Sequence, residues 1–122
     1  MIYHITSLRG WREAQQRGDY RAASLATEGF IHCSTKTQVL PVSEKYYPGQ
    51  RGLFVLEIDP ALLSSELKWE PPAEGSPPPG VPEGDLFPHV YGPIDLNAIV
   101  KFFDLETGPD GRHHVPGLDN AA

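Results

Sequence analysis

The sequence predicts an α+β fold with about five or six strands and two helices. Short apolar and aromatic runs recur along the chain, as in strands, whereas only two stretches carry apolar residues at helical spacing. Strands and helices do not alternate regularly, which argues against a doubly wound parallel sheet. The glycine-rich motifs of dinucleotide-binding and P-loop folds do not occur in the sequence.

Composition and charge limit the classes of partner. The 122 residues fit one domain, and the formal net charge is -6. Because the lysines and arginines are scattered, we expect no duplex nucleic acid partner, which would need a basic cluster. No apolar run approaches the roughly 20 residues of a membrane span, and no signal peptide opens the chain. These features predict a cytoplasmic protein that does not bind membranes; they leave its oligomeric state open.

The first quarter of the chain predicts a strand and then a helix. Residues 2–6 alternate in polarity, as a short strand does. Residues 9–18 carry apolar side chains at helical spacing, with Ser7 as a candidate N-cap and Gly18 as a stop. Residues 19–25 connect this helix to the next element, with a brief strand at Tyr20.

A strand over residues 30–33 precedes the second predicted helix. Residues 34–38 open that helix, with Ser34 or Thr35 as its cap, and residues 47–49 end it. The nearly continuous apolar run at 53–58 predicts a central strand that is covered on both faces.

The second half of the chain is divided by a proline-rich segment. A helical turn at 61–63 and a strand at 67–70 precede a long surface loop at 71–84, which holds six of the thirteen prolines. Residues 85–93 contain a further strand, and residues 94–98 form a turn or short helix.

A closing strand at 99–105 completes the predicted fold. We therefore expect one domain over residues 1–107, followed by a flexible tail over 108–122 in which His113 and His114 are exposed.

Three histidines are each followed, two residues later, by a hydroxyl residue in a strand-like run. The pairs are His4 and Thr6, His32 and Ser34, and His89 and Tyr91. Residues two apart on a strand share a face, so each pair points the same way. Three such pairs predict strands that converge on one polar pocket.

A pocket of imidazoles and hydroxyls suits a hydroxyl-rich ligand such as a sugar or ribose, because these groups donate and accept hydrogen bonds. Tyr91 and Trp69 could stack on a ring of that ligand. Glu28 and Glu70 are the carboxylates placed to act as a base or to stabilise positive charge. The alternative interpretation of either glutamate is a solvated surface charge.

Two other chemistries are open to the same residues. Three histidines on neighbouring strands could bind zinc, but none lies in a His-x-Glu-x-x-His or Cys-x-x-Cys frame, and we expect no metal. Cys33 could be a nucleophile, but on a strand it faces away from its neighbours, and we expect a small buried hydrophobic residue. Ser34 lacks the Gly-x-Ser-x-Gly setting of a hydrolase nucleophile.

Five segments together resemble domain-of-unknown-function family 952, a family of small bacterial proteins, and the likeness runs from residue 1 to about 104. The segments are Ile2–Thr6, Ser24–Ser34, Gln38, Trp69–Glu70 and Phe87–Pro93. The family is grouped by fold with ADP-ribosyltransferases and RNA 2′-phosphotransferases. The resemblance therefore implies a split, strongly curved β core with a groove for NAD.

The resemblance also implies roles for individual residues. A first-strand histidine that bonds the nicotinamide ribose would be His4, and a later strand would supply His32 with Ser34, or His89 with Tyr91. The sequence departs from the superfamily pattern in lacking a late Glu-x-Glu or Gln-x-Glu pair. Only Arg21 and Arg51 are candidates to hold phosphates.

The leading hypothesis is a domain that binds NAD or a related nucleotide and, if catalytic, transfers ADP-ribose. Its candidate catalytic residues are His4, Glu70 and Glu28. Its candidate ligand-binding residues are Thr6, His32, Ser34, Gln38, Trp69, His89 and Tyr91. The alternative is a non-catalytic module that binds a small ligand in the same pocket, and a zinc-dependent hydrolase is a third hypothesis.

Overall fold

A computed structural model describes residues 1–119, which form nine strands and four α-helices in an α+β fold. The strands are β1 (Ile2–Ser7), β2 (Asp19–Tyr20), β3 (Ile31–His32), β4 (Leu53–Ile58), β5 (Glu66–Glu70), β6 (Phe87–Tyr91), β7 (Ile94–Asp95), β8 (Ile99–Thr107) and β9 (His113–His114). The helices are α1 (Leu8–Arg17), α2 (Ala23–Glu28), α3 (Val39–Tyr46) and α4 (Pro116–Asp119). The predicted class is confirmed, but the predicted number of elements is too low.

The main sheet is antiparallel, in the order β1-β4-β8-β9, with β4 between β1 and β8. Alternate residues of β4 enter two separate cores: Leu56 packs in one and Val55 in the other, and both are fully buried. The prediction of a strand covered on both faces is therefore confirmed. Full burial of such a side chain contributes about 1.5–3 kcal/mol, so β4 is central to the stability of the fold.

A smaller antiparallel sheet has the order β3-β6-β5. Its register sets His32 opposite His89, and His89 opposite Lys68. Ile31 and Val90 on the other face pack into the core that contains Leu56. The sheet thus buries one apolar face and presents polar and aromatic side chains on the other.

The first helix begins and ends as the sequence predicts. The Ser7 hydroxyl accepts a hydrogen bond from the Gly10 amide at 3.1 Å, which satisfies one of the free amides of the first turn. Gly18 ends the helix with φ of 101°, a left-handed conformation that glycine adopts without a steric penalty. β2 follows and pairs with β7, so Tyr20 lies opposite Ile94.

Two predictions for the segment between Tyr20 and α3 are wrong. The expected connection contains α2, which has too few residues to show a helical period. The cap of α3 is neither Ser34 nor Thr35, because the helix starts at Val39, and the side-chain oxygen of Gln38 accepts from the Thr35 amide at 2.9 Å.

The segment expected to begin a flexible tail is folded as far as residue 119. Val115 and Leu118 are buried in the core beneath the main sheet. His113, expected to be exposed, is buried, and its Nε2 donates to the Gln50 carbonyl at 3.0 Å. Val115 and Leu118 are two apolar residues in a polar stretch, so they give no periodic signal in the sequence. Their burial is nevertheless enough to hold this segment against the core. Residues 120–122 lie outside the described residues.

The loop between β5 and β6 packs against the rest of the protein at its C-terminal end, just before β6. Val81 is buried, and the Gln38 side-chain amide donates to the Leu86 carbonyl at 3.0 Å. The two ends of the loop directly join the strands that carry Glu70 and His89. None of the helices within residues 1–119 is long and apolar enough to cross a membrane.

Candidate functional site

Two backbone pairings bring three of the histidines together. The β3-β6 register places the His32 and His89 rings edge to face, with centroids 5.5 Å apart. Ser34 and Tyr3 exchange two backbone hydrogen bonds of 2.7 and 2.8 Å, which joins β1 to the chain just after β3. As a result, His4 reaches the backbone of β3, and its Nδ1 donates to the His32 carbonyl.

The three rings border one cleft of about 890 Å³. The predicted site residues that line it are His4, Thr6, Glu28, His32, Ser34 and His89. Those that do not are Gln38, Trp69, Glu70 and Tyr91. Gln38 donates a hydrogen bond to the C-terminal end of the segment that joins β5 to β6. Trp69 is half exposed on the edge strand β5. Glu70 and Tyr91 act on the cleft only through His89.

His4 is sealed in a closed network of hydrogen bonds. Burial lowers its pKa from 6.5 to about 4, so the ring is neutral at pH 7. With Nδ1 donating to a carbonyl, Nε2 must accept, and the Tyr20 hydroxyl 2.8 Å away donates to it. That hydroxyl has one proton, so the 2.9 Å contact between Tyr20 and Thr6 is donated by Thr6. Both ring nitrogens of His4 are therefore occupied.

His89 is held differently, by a carboxylate. Its Nδ1 lies 2.8 Å from Glu70 Oε1, and the Tyr91 hydroxyl donates to the same oxygen at 2.6 Å. The hydrogen bonds from Tyr91 and then His89 hold the pKa of Glu70 below its usual range, so this carboxylate stays charged. The His89 Nε2 has no hydrogen-bond partner among residues 1–119, and the residue borders the cleft. This nitrogen can exchange a proton with a bound molecule.

Aromatic contacts fix the His89 ring and the Tyr91 ring. Phe30 stacks on His89 with centroids 4.3 Å apart and planes at 28°, and it meets His32 edge to face. The Lys68 Nζ lies 4.7 Å from the centre of the Tyr91 ring. Phe30 was not predicted as a site residue, although strand alternation places it on the same face as His32.

A second imidazole–carboxylate pair lies at the exposed side of the cleft. His32 Nε2 is 3.0 Å from Glu28 Oε2, and each side chain is 44% exposed. Water screens such a pair, so its contribution to stability is small. Glu28 lines the cleft, contacts one of the three histidines, and is open to solvent.

Ser34 and Cys33 both border the cleft, but Cys33 also packs into the apolar core. Ser34 is 6% exposed and lines the cleft, and its hydroxyl has no hydrogen-bond partner among the described residues. Cys33 packs in the apolar core with Ile31, and burial raises the pKa of its thiol. The prediction that Cys33 is a buried hydrophobic residue is confirmed, and it has no features of a nucleophile.

Tyr20 and Tyr47 line the cleft but are not among the predicted site residues. Tyr20 is buried beside His4, and burial raises its pKa to about 12. Tyr47 lies at the end of α3, lines the cleft, and has its pKa raised by burial. The sequence around Tyr47 indicates only the end of a helix. Tyr20 is positioned by the pairing of β2 with β7, two segments that are far apart in the chain, so local sequence does not reveal its place in the cleft.

The charged residues of the cleft lie at its exposed edge. Arg9, which is 89% exposed, pairs with Glu13, and Arg21 pairs with Asp19. These arginines are the two basic side chains that line the cleft within the described chain. Arg51, the other predicted phosphate ligand, does not line it.

The donor set does not favour a metal. Within residues 1–119, no three histidine, cysteine, aspartate or glutamate residues are grouped so that they could hold a metal ion. The His4 ring cannot offer a free nitrogen, because both of its nitrogens bond to protein groups.

Comparison with known proteins gives a family and a fold but no activity. A family model described as "Protein of unknown function (DUF952)" matches residues 5–102. A crystal structure of protein CC0527 from Caulobacter crescentus is 29% identical, covers 97% of each chain and has a TM-score of 0.81. The solution structure of the same protein is 32% identical, covers 99% of this chain and 96% of that one, and has a TM-score of 0.73. No curated protein matches the sequence.

Proposed function

This chain belongs to the DUF952 family of proteins of unknown function, and we propose that its cleft binds a small molecule of nucleotide size, with NAD as the leading candidate. We also propose that His89, oriented by Glu70, exchanges a proton with that molecule. The observation that carries the proposal is the His89 ring: Nδ1 is held by a carboxylate, and Nε2 is left without a protein partner at the border of the cleft.

The geometry of this pair supports acid–base chemistry. The Glu70 carboxylate keeps the proton of neutral His89 on Nδ1, so the lone pair is on Nε2. When Nε2 takes a proton, the negative carboxylate stabilises the imidazolium that forms. A positioned general acid or base typically contributes about 10²–10⁴-fold to a reaction rate.

The size and lining of the cleft support a small ligand. Its volume of about 890 Å³ lies in the range of roughly 300–1,000 Å³ typical of small-molecule sites. Histidine, serine and tyrosine side chains supply hydrogen bonds to hydroxyl groups, and Arg9 and Arg21 lie where a charged portion would reach solvent. A cytoplasmic location belongs to the same proposal, because a free Cys33 fits a reducing compartment.

Transfer of ADP-ribose from NAD is the reaction we propose to test first, together with an ADP-ribosyltransferase-like fold, on the basis of the family resemblance. In that reaction the bond between nicotinamide and the ribose C1′ breaks, the acceptor bonds to C1′, and the acceptor proton passes to His89 Nε2. The hydrogen bonds reassign two predicted roles. His4 has no free nitrogen for the ribose, and Glu70 supports His89, which leaves Ser34 and Glu28 to contact the sugar.

Thermal-shift measurements with nucleotides and sugars test the binding, and mass spectrometry of released nicotinamide tests the reaction. We expect NAD to raise the melting temperature, because a ligand stabilises the state that it binds. The variant His89→Gln should lower nicotinamide release by about 100-fold or more, and Glu70→Gln should lower it less. His114→Gln, an exposed histidine outside the cleft, is the matched control. A panel in which no compound shifts the melting temperature would contradict the proposal.

A non-catalytic binding module is the second candidate function. The observation that favours it is the closed network of His4, Tyr20 and Thr6, which commits a predicted catalytic histidine to protein contacts. Binding of NAD without release of nicotinamide would support this function over the first.

A further inference from the structure

Within residues 1–119, the buried side of the cleft carries hydroxyl groups and the His89 ring, and no lysine, arginine or carboxylate side chain. We define four of the hydroxyl residues that line the cleft as the cleft floor: Thr6, Tyr20, Ser34 and Tyr47. Three of them are less than a tenth exposed, and Tyr47 is partly buried. By contrast, the charged residues that line the cleft are exposed, so polarity changes from neutral to charged along the cleft.

The floor stays neutral over the physiological pH range. Burial keeps the His4 ring behind it uncharged at pH 7, with a pKa of about 4. Burial raises the pKa of Tyr20 to about 12, and the neighbouring Tyr47 phenol adds to that effect. The groups available to a ligand here are therefore hydroxyl donors and acceptors alone.

Two of the floor hydroxyls are not used by the protein. Those of Thr6 and Tyr20 bond to one another and to His4. Those of Ser34 and Tyr47 have no hydrogen-bond partner within residues 1–119 and are open to the cleft, since His113 Nδ1 is the one side-chain polar atom of these residues that is fully buried without a hydrogen-bond partner. The Ser34 hydroxyl belongs to a residue that is 6% exposed, it opens onto the cleft, and no protein group uses it, so it is available to bond a ligand.

We propose that the cleft floor binds an uncharged, hydroxyl-bearing ring of the ligand, a ribose or other sugar, through the hydroxyls of Ser34 and Tyr47. This inference rests on the proposed function, because it concerns the same cleft. It assigns Tyr47 as a ligand-binding residue and gives the ligand an orientation, with the sugar at the floor and any charged group at the exposed edge.

An anionic group does not fit the floor. Transfer of a charge from water to a buried site without an opposite charge is strongly unfavourable. Within the described chain, the basic residues of the cleft are Arg9 and Arg21, and both are exposed and already paired. A phosphate would therefore lie near them and contribute affinity that weakens with salt.

Calorimetric titration of adenosine and AMP tests this orientation, since the two probes differ by one phosphate. The test variants are Ser34→Ala and Tyr47→Phe. The matched controls are Ser64→Ala and Tyr3→Phe, whose hydroxyls bond to Asp95 and Glu57 away from the cleft. We expect each test variant to weaken both probes by about tenfold, the effect of one lost hydrogen bond, and each control to change them by less than about twofold. The melting temperature of the free test variants should not fall.

Each outcome decides the inference. Equal losses for adenosine and AMP in both test variants support it. Binding to the wild type that neither variant weakens would overturn it and leave the proposed function intact. The inference would also be overturned if the test variants weakened the binding of AMP but not of adenosine. It would be overturned as well if inorganic pyrophosphate competed with AMP for the wild type but not for Ser34→Ala, because either result would place the phosphate at the floor. Absence of binding to the wild type by adenosine, AMP and NAD would overturn both this inference and the proposed function.

Discussion

His4 and His89 are both buried imidazoles that border the same cleft, but their hydrogen bonds give them opposite properties. Both nitrogens of His4 bond to protein groups, a carbonyl and a phenol, and its ring is kept neutral. The Nδ1 of His89 bonds to a carboxylate, and its Nε2 is left for another partner. The first ring holds the fold together, whereas the second is available for chemistry.

The difference comes from the residue that bridges each histidine to its hydroxyl companion. Tyr20 bridges His4 to Thr6, and Glu70 bridges His89 to Tyr91. A neutral phenol cannot stabilise an imidazolium, but a carboxylate can. The same sequence pattern, a histidine followed two residues later by a hydroxyl, therefore gives a structural site in one place and a candidate acid–base site in the other.

The largest effect should follow from the loss of the His4 ring. We expect His4→Ala to lower the free energy of unfolding by roughly 3–4 kcal/mol, because it leaves a cavity and strands the Tyr20 hydroxyl and a backbone carbonyl. Urea denaturation measures this loss. A loss below about 1 kcal/mol would contradict a structural role for His4.

Stability should also fall in acid through His4. The pKa of His4 is about 4 in the folded protein and 6.5 in its ordinary state, so between these values the unfolded chain binds more protons and stability rises with pH. We expect about 3 kcal/mol to be lost as the pH falls from 6.5 to 4. Glu70, whose pKa is lowered, loses its stabilising effect only at lower pH.

Unfolding measured across this range, in the wild type and in His4→Gln, separates the two contributions. The variant should lose the slope between pH 6.5 and 4, the ordinary and folded pKa values of His4. An unchanged slope would assign the effect to other groups.

A matched pair of tyrosine variants compares the two bridges. Tyr20→Phe leaves the buried Nε2 of His4 without a donor, so we expect a loss of about 1–2 kcal/mol in the free energy of unfolding. Tyr91→Phe removes a donor to a carboxylate that water can reach, and it should cost less stability. Thermal unfolding ranks the stabilities of the two variants. A larger loss of stability in Tyr91→Phe than in Tyr20→Phe would contradict the distinction between the His4 and His89 networks.

The smallest effect on stability should come from His32. Its pair with Glu28 is half exposed, and such pairs contribute little, so His32→Ala should change the free energy of unfolding by less than about 0.5 kcal/mol. Urea denaturation of His32→Ala and His4→Ala under the same conditions compares the two losses in the free energy of unfolding. A large loss would mean that all three histidines are structural.

The elements that were predictable from the sequence are those with enough residues to show a pattern. β1, α1 and β4 each have six or more residues: β1 and α1 show a period, β4 is a nearly continuous apolar run, and α1 has a serine cap and a glycine stop. β7 and β9, which were not predicted, have two residues each, too few for any period. The packing of residues 113–118 depends on contacts with distant parts of the chain, which local sequence does not record.

The candidate site was predictable where strand alternation alone decides it. Alternation places His32 and Phe30 on one face, and it puts the adjacent residues Trp69 and Glu70 on opposite faces of their strand. The bridges were not predictable in this way. Glu70 reaches His89 through a diagonal contact across the β5-β6 register, which only the folded sheet defines.

The central claim is that His89, and not His4, presents a free ring nitrogen to the ligand. Long-range ¹⁵N NMR of the imidazoles during a titration with NAD tests it most directly. We expect both rings to carry the proton on Nδ1 in the free protein, and the Nε2 signal of His89 to shift on binding while both nitrogens of His4 stay in place. A shift of His4 Nε2 with an unchanged His89 would contradict the claim.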